Sequence, residues 1–244
     1  MKQVKADLHI HTALSPCAME EMTPPAIVEE AIRKGLQMIA ICDHNAAGNV
    51  ASTQEAAGAD IAAIAGMEVT TAEDIHVLGL FPDAASACKA ADVVRASLPA
   101  WSDRSGKFGQ QLFMDAHGQV IGTEPKMLAA SSALTLSQTV SLIKEYDGLA
   151  LAAHVNRPSF SVFSQLGLFP LDVSFDAIEV FPKARFPSQW DKERPQGLPI
   201  FHSSDSHYLS DIGSCFTILE LAESSFTELA FAIKGIAGRR CCHA

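Results

Sequence analysis

The sequence predicts an α/β fold built around a largely parallel sheet, either a barrel or a doubly wound sheet. Short apolar runs alternate along the chain with segments of helical periodicity. Most of these runs are almost continuously apolar, which is typical of strands buried on both faces. The chain has 244 residues, 48% of them hydrophobic, and is therefore long enough to bury the core of one such domain.

Eight apolar runs are predicted to be strands, in chain order residues 6–10, 38–42, 61–67, 76–80, 149–153, 177–181, 198–201 and 215–221. Helices are predicted between them. Thr23 before Pro24 is the pattern of an N-cap followed by proline in the first turn, and Gly35 ends this helix. Ser225 and Glu228 have the spacing of a capping box at the start of the last helix.

Residues 83–134 interrupt the alternation and are predicted to be an insertion within one domain spanning residues 1–244. A helical piece near 92–98 is followed by two short apolar segments that flank a hairpin turn at 115–118. Because the insertion follows the predicted strand 76–80, we expect it to form a lid or wall over the strand ends that carry the site.

The charge and the absence of certain segments exclude several classes of protein. A net charge of −10 argues against stable, broad electrostatic binding to nucleic acid. No apolar run reaches the roughly 18 residues of a membrane span, and the N-terminus does not have the pattern of a signal peptide. We therefore expect a cytoplasmic protein that does not enter a membrane and whose six cysteines are reduced thiols.

Histidines and carboxylates fall repeatedly at the ends of the predicted strands. They are His9, His11, Asp43, His44, Glu68, His76, His154, His202, Asp205 and His207. In an α/β barrel the ends of the strands converge on one face, so residues far apart in sequence meet there. Burying so many polar groups is costly unless a metal or a partner satisfies them.

This mixture of imidazoles and carboxylates predicts a site for transition metals. Imidazole and carboxylate together suit Zn, Fe or Mn better than Ca or Mg. There are more donors than one tetrahedral ion can use, so we predict two to three divalent ions. Such clusters activate water and hold the oxygens of a phosphoryl group, which favours a hydrolase acting on phosphate esters.

Six short motifs in this chain resemble those of the PHP (polymerase and histidinol phosphatase) family of phosphoesterases. In order along residues 6–213, they begin at Asp7, Cys42, Gly66, Asp74, Ala153 and Ser204. The resemblance implies a distorted (β/α)7 barrel with a trinuclear metal site. It also implies a hydroxide that bridges two ions and attacks phosphorus.

Carried over residue by residue, the resemblance implies three sets of metal ligands: His9, His11, Glu68 and Asp205 for the first ion, Glu68, His76 and His154 for the second, and His44 and His207 for the third. Glu68 and Asp205 are thereby implied to be catalytic. Asp43 is implied to orient a neighbouring histidine, and Glu179 is another candidate for that role.

The chain departs from the family pattern shortly after the first histidine pair. The family usually has an aspartate there as a ligand of the third ion, whereas this chain has Pro16 at about that position. Glu20, Glu21 or Cys17 could substitute, or the site could hold only two ions tightly. The greater reach of a glutamate and the preference of hard ions for carboxylate favour Glu20 or Glu21.

The substrate is predicted to be a phosphorylated small molecule or a nucleotide. Arg157 follows His154 closely, and its planar guanidinium matches phosphate oxygens; Lys183 and Arg185 are weaker candidates. The first hypothesis is hydrolysis of a phosphomonoester, and the alternative is an exonuclease acting on DNA or RNA ends. A binding module with a decayed site and an amidohydrolase are disfavoured, respectively, by the near-complete ligand set and by the absence of a suitably placed lysine.

Overall fold

The computed structural model describes residues 1–101, 108–181, 184–186, 190, 195 and 197–242. The strands in this part of the chain are β1 (Lys2–Ile10), β2 (Met38–Ile41), β3 (Ala62–Thr70), β4 (His76–Phe81), β5 (Leu112–Met114), β6 (Val120–Thr123), β7 (Leu149–Ala152), β8 (Ala177–Val180), β9 (Ile200–His202), β10 (Thr217–Leu221) and β11 (Arg240–Cys242). The helices are α1 (Pro24–Arg33), α2 (Val50–Ala57), α3 (Ala84–Ala96), α4 (Leu136–Glu145), α5 (Val162–Leu166) and α6 (Phe226–Lys234).

Nine strands form a sheet that curls into a nearly closed barrel, in the order β11-β10-β1-β2-β3-β4-β7-β8-β9. The chain that follows β9 returns to β1, where Ser206 bridges Ile10 in parallel orientation. Two backbone hydrogen bonds hold this closure, from His11 N–H to Ser206 O (3.0 Å) and from Ser206 N–H to His9 O (3.2 Å). The predicted distorted barrel is confirmed.

The strand β4 runs antiparallel to both of its neighbours, β3 and β7. A tight turn reverses the chain after β3, with Thr71 N–H donating to Ile75 O (2.9 Å) and Asp74 at a φ of 58°. The nearly continuous apolar composition indicated parallel strands, and for β4 that expectation is wrong, because a strand buried on both faces has the same composition in either direction. His76, at the start of β4, therefore lies at the same edge as the carboxyl ends of the parallel strands.

All eight predicted strands are present, with ends that differ by a few residues. Helix α1 begins as predicted, since the Thr23 side chain accepts a hydrogen bond from Ala26 N–H. The capping box at Ser225 is only half formed. The Glu228 carboxylate binds Ala222 N–H (2.6 Å) and Arg239 instead of reaching back to the helix start.

Two apolar clusters hold the barrel together. One packs α1 to α4 against the sheet through residues such as Ile27, Ile39 and Ile143. The other uses alternate residues of the same strands, including Ala40 and Leu78, together with α6. Fully burying one such large side chain contributes roughly 1.5–3 kcal/mol, so the clusters provide a rigid frame for the strand ends.

The insertion reaches the metal-ligand edge by an indirect route. Because β4 runs antiparallel, it ends at the edge opposite the metal ligands. The insertion therefore does not start beside the site, although its position after strand 76–80 was the reason to expect a lid or wall there. Helix α3 then carries the chain back, and the predicted hairpin forms as β5 and β6. Leu112 N–H donates to Ala13 O (2.9 Å) and Gly109 N–H to Pro16 O (2.7 Å), which fixes the hairpin segment against the loop after β1.

Candidate metal centre

The eight predicted metal ligands meet in one pocket at the site edge of the barrel. The strand β1 supplies His9, β3 supplies Glu68, and β4 supplies His76. The others lie in the chain that follows β1, β2, β7 and β9: His11, His44, His154, Asp205 and His207. Strands distant in sequence are neighbours in the sheet, and their ends therefore bring these side chains together.

The first group of donor atoms surrounds the imidazoles of His9, on β1, and of His11, just after it. The Nε2 atoms of His9 and His11 are 3.1 Å apart. Asp205 Oδ1 lies 3.4 Å from His9 Nε2 and 3.2 Å from His11 Nε2. Glu68 Oε1 lies 3.4 Å from His9 Nε2, and its Oε2 lies 3.5 Å from His11 Nε2.

The second group is built on the other side of the same Glu68 carboxylate. Its Oε1 lies 2.8 Å from His76 Nδ1 and 3.1 Å from His154 Nε2. These two imidazole nitrogens are themselves 3.2 Å apart. His44 Nδ1 approaches Oε2 of Glu68 at 2.9 Å. Glu68 thus stands between two groups of imidazoles, as a bridging ligand must.

The third group contains imidazoles only. His11, His44 and His207 have donor atoms that all lie within 4.8 Å of one another. The rings of His11 and His207 stack with centroids 4.1 Å apart, and the ring of His44 lies 4.6 Å from that of His11. Two carboxylates border this group: Glu68 Oε2 lies 2.9 Å from His44 Nδ1, and Asp205 Oδ1 lies 3.2 Å from His11 Nε2 and 3.7 Å from His207 Nδ1.

The spacing of the donors fits shared metal ions. Ligands about 2.1 Å from one tetrahedral ion lie about 3.4 Å from each other, close to the spacings in the first two groups. Two unprotonated imidazole nitrogens repel at 3.1 Å unless a cation or a proton lies between them. Several buried donor atoms make no hydrogen bond within the described structure, although two of them, Glu68 Oε2 and Asp205 Oδ2, are in ion-pair contact with His44 and Arg157. Metal ions would satisfy the remaining capacity of such a set of donors.

The electrostatics of the pocket favour positive charge. Burial would raise the pKa of Glu68, but the nearby imidazoles of His76, His9 and His44 hold it well below its usual value. The carboxyl of Asp205 is likewise lowered, mainly by His9 against the effect of burial. Burial disfavours a charged His9, yet the carboxylates of Glu179, Asp205 and Glu68 raise its pKa well above the usual value. The pocket therefore keeps its carboxylates anionic and attracts a cation.

Two of the imidazoles are held neutral, as metal ligands must be. Burial, with the neighbouring charges of His207 and His44, lowers the pKa of His11 well below its usual value. Burial also lowers the pKa of His76 to about 4, although the Glu68 carboxylate opposes this.

Buried side chains behind the ligands fix their orientation. Both oxygens of Glu179 lie 3.1 Å from His9 Nδ1, which leaves Nε2 directed at the other ligands. Glu179 also accepts the backbone N–H of His154 (3.0 Å). Asp43 acts through Ser15, whose hydroxyl donates to Asp43 (2.7 Å) and lies 2.9 Å from His11 Nδ1. The structure thus places Glu179 and Asp43 where orienting residues were expected.

Three residues of the site have left-handed backbone conformations that are unfavourable for residues other than glycine. These are Asn45 with φ of 50°, His154 with φ of 27° and Asp205 with φ of 51°. Asn45 follows His44 directly, so each of the three conformations lies at or next to a predicted metal ligand and helps to orient its side chain. The surrounding hydrogen bonds maintain these turns, for example the one from Thr70 N–H to Asn45 Oδ1 (3.0 Å).

Sequence reasoning missed several polar residues that support the pocket. Asp7 is fully buried and binds the backbone N–H groups of Ser204 and Gly213 (2.9 Å each), which anchors the loop that carries Asp205. Asn49 links α2 to Thr12 and to the hairpin strand β5. Both stand near recognised motifs, but their partners lie up to 206 residues away, so spacing alone gave no signal.

The other histidines and the two glutamates of the loop after β1 do not join the donor groups of the described structure. His202 is half-buried on β9, and His117 is exposed in the hairpin turn; neither joins a group of donors in the described structure. Glu20 and Glu21 are both exposed, so the structure does not support the expectation that a glutamate completes the third group.

Arg157 borders both the ligands and a cavity. Its Nη1 lies 2.6 Å from Asp205 Oδ2, and its guanidinium lies 4.2 Å from the centroid of the Phe181 ring. A cavity of about 620 Å³ lies beside it, lined also by Asn156 and Arg185. Lys183, the remaining candidate for phosphate binding, lies outside the described residues.

The fold and the site define a class of protein: a barrel with a candidate metal centre at the strand ends. The sequence profile of the PHP domain matches residues 7–165, and a PHP-associated profile matches residues 194–235. The chain therefore belongs to the PHP domain family, whose members are metal-dependent phosphoesterases.

A relative and several solved structures are similar to the chain. An uncharacterized protein of Methanocaldococcus jannaschii, MJ1587, is 26% identical over 189 residues, which is 73% of this chain and 81% of that protein. The lesion-specific endonuclease PfuEndoQ from Pyrococcus furiosus has a similar structure, with a TM-score of 0.77 and 21% identity over 98% of this chain. Endonuclease Q in complex with a 27-mer duplex bearing an abasic lesion gives a TM-score of 0.75 at 22% identity, also over 98% of this chain.

The chain spans only 58% of the length of both endonuclease chains. A two-domain protein of Bacteroides vulgatus, described as containing a predicted PHP-like metal-dependent phosphoesterase, is more distant. Its TM-score is 0.54 at 18% identity, over 98% of this chain and 64% of that one. At these identities the likeness to solved structures establishes the fold.

Proposed function

We propose that this chain cleaves phosphate esters of nucleic acid at a centre of two or three divalent ions. The observation that carries the proposal is the position of Glu68, whose two oxygens contact imidazoles of different groups at 2.8–3.5 Å. His9, His11 and Asp205 would hold the first ion, and His76 and His154 the second, with Glu68 shared. His44 and His207 would hold the third.

Side chains of this chain would orient the metal ligands and bind the substrate. Bound ions supply an activated water and neutralise charge that develops on the phosphate oxygens. Glu179 holds the Nδ1 proton of His9 and so keeps Nε2 free as a donor. Arg157, beside Asp205 and only partly exposed, binds a non-bridging phosphate oxygen and orients the ester. The φ values of His154 and Asp205 preorganise these donors before substrate arrives.

The substrate class is supported by the likeness to endonuclease Q over nearly the whole chain, at a TM-score higher than that of the Bacteroides protein. Arg157 and His207 both retain exposed surface, so a phosphate group can reach the site from solvent. The net charge of −10 indicates that binding depends on the metal centre more than on a basic surface.

A phosphomonoester is the second candidate. The net charge of −10 disfavours an extended polyanion and so favours a smaller substrate. The cavity beside Arg157 and Arg185 has room for a nucleotide or a sugar phosphate.

A substrate panel with Mn or Zn distinguishes the two candidates. The panel contains a duplex with an abasic site, an undamaged duplex, a single strand, nucleoside monophosphates, and matched mono- and diesters of p-nitrophenyl phosphate. We expect cleavage of the DNA substrates and of the diester, with loss of both in Glu68→Gln. Cleavage of monoesters alone would select the second candidate, and no cleavage of any ester by the metal-loaded protein would refute the function.

A further inference from the structure

The loop after β1 contains the residue that distinguishes this metal centre from the family pattern. Within it, Ala18 N–H donates to Ser15 O (3.0 Å). Met19 N–H donates to the backbone oxygen of His207 (3.0 Å), so the loop is bound directly to a residue of the third donor group. Cys17 lies between these two anchored positions.

The thiol of Cys17 faces the third donor group, although the residue lies at the protein surface. It is within hydrogen-bonding distance of the imidazoles of both His207 and His44. These two imidazoles and His11 have mutually close donor atoms, and the nearby carboxylates of Glu68 and Asp205 belong to the first two groups. Ser15 contacts the backbone N–H of His44 and Nδ1 of His11, so Cys17 is left as the thiol of this loop beside the imidazoles of His44 and His207.

The chemistry of a thiol suits this placement. Cys42, by contrast, is fully buried in the core and does not face the third group. A thiolate beside imidazoles is a typical ligand environment for Zn.

We propose that Cys17 binds the third metal ion as a thiolate, together with His44 and His207. His11 lies beside this ion, and the thiolate makes the position selective for Zn. The inference rests on the proposed metal centre and deepens it. The first two groups combine imidazoles with two carboxylates, Glu68 and Asp205, and suit Mn or Fe as well as Zn. Sulfur and nitrogen donors alone disfavour Mn, so one pocket would hold ions of two kinds.

Cobalt substitution tests the proposal without reference to activity. Purified full-length protein is stripped of metal and titrated with Co(II), while the near-ultraviolet charge-transfer band of a cobalt–thiolate bond is followed. We expect a band that Cys17→Ser abolishes, with one ion lost from the total and the others kept. Affinity for the lost ion should fall by more than about 100-fold, beyond the 10–100-fold typical of residues that only support a ligand.

Two further variants and one chemical measurement make the result specific. Cys88→Ser removes a half-buried thiol of α3 and should leave the band unchanged; the tail thiols Cys241 and Cys242 are present in every variant and cancel in the difference. Cys17→Asp should restore the third ion but bind Mn better relative to Zn than the parent does. Zn should also protect Cys17 from alkylation by iodoacetamide.

The possible outcomes distinguish failure of the Cys17 ligand from failure of the metal centre as a whole. A band or a full ion count that persists in Cys17→Ser, or alkylation of Cys17 at the same rate with and without Zn, would overturn the thiolate ligand and leave the centre around Glu68 intact. Failure of the parent to bind any ion would overturn both together.

Discussion

The two ends of the metal pocket are built differently. At the inner end, His9, Glu68 and Glu179 are at most 1% exposed, and the imidazoles are packed around the Glu68 carboxylate. At the outer end, His207 is partly exposed and packs against a surface loop, with Cys17 beside it and Asp205 Oδ1 3.7 Å from its Nδ1. Buried carboxylates with several partners make a rigid, charge-dense site, whereas the outer end depends on how one loop is held. We therefore expect the inner ions to be tight and catalytic and the outer ion to be weaker and more selective.

Replacing the shared carboxylate tests the inner end most severely. Glu68→Gln removes the negative charge between the two donor groups, so both inner ions should bind weakly. We expect turnover to fall by about 1000-fold or more, equivalent to about 4 kcal/mol of transition-state stabilisation. Steady-state kinetics with measured metal content check this. Glu228→Gln, which alters another buried glutamate far from the pocket, should retain parental rates; equal losses in both variants would contradict the bridging role.

Weakening an orienting contact should have a smaller effect confined to the inner end. In Glu179→Gln the partner of His9 Nδ1 loses its charge, so His9 is a poorer donor. We expect a 10- to 100-fold loss of affinity for an inner ion, the usual range for residues that support ligands. Isothermal titration with Zn measures it. Glu124→Gln disturbs a buried pair with Arg95 in the insertion and serves as the control; if Zn affinity is unchanged in Glu179→Gln, His9 does not depend on this contact.

Removing the buried side chain of Asn49, which supports the outer end, should destabilise the protein. Asn49 is fully buried and makes three hydrogen bonds, to Thr12 Oγ1, Leu112 O and Met114 N. Asn49→Ala leaves these groups unsatisfied and should lower the free energy of unfolding by about 2 kcal/mol. Thermal and urea unfolding measure this change. Gln54→Ala on the same helix loses one half-buried bond and should cost less. A comparable loss in both variants would mean that the hairpin does not depend on Asn49.

The smallest effect is expected where substrate meets the inner end. Arg157→Lys keeps the positive charge but loses the planar fork that matches phosphate oxygens. We expect KM to rise about 10-fold, which corresponds to about 1.4 kcal/mol, while metal content stays at the parental level. Arg95→Lys is the control, because this arginine pairs with Glu124 and is not part of the proposed substrate site. An unchanged KM in Arg157→Lys would remove this residue from substrate binding.

Sequence predicted the inner end well because each of its ligands follows or opens an apolar run. His9, Glu68 and His154 are fixed by strand ends, and strand ends are what periodicity detects. The direction of β4 was not predictable, because composition does not distinguish a parallel from an antiparallel buried strand. His76 lies beside the other ligands only because β4 is reversed, since the first residue of a parallel strand would lie at the opposite edge.

The outer end was less predictable because its geometry depends on loops. The exposure of Glu20 and Glu21 and the orientation of Cys17 follow from backbone hydrogen bonds to His207 and within the loop. Asp7 was recognised only as part of a motif, since its partners Ser204 and Gly213 are brought near by the closure of the barrel. Such contacts carry no local sequence signal.

The reversal of β4 places the start of the insertion at the edge opposite the metal ligands. Six residues of strand span about 20 Å, and the thirteen residues of α3 span about the same distance. The hairpin nevertheless meets the loop of Cys17, because Leu112 N–H donates to Ala13 O and Gly109 N–H donates to Pro16 O. Asn49 binds Leu112 and Met114 of the same hairpin from the start of α2. A segment that leaves the sheet far from the ligands is thereby fastened to the wall of the metal site, and a change in the hairpin reaches the outer end through these contacts.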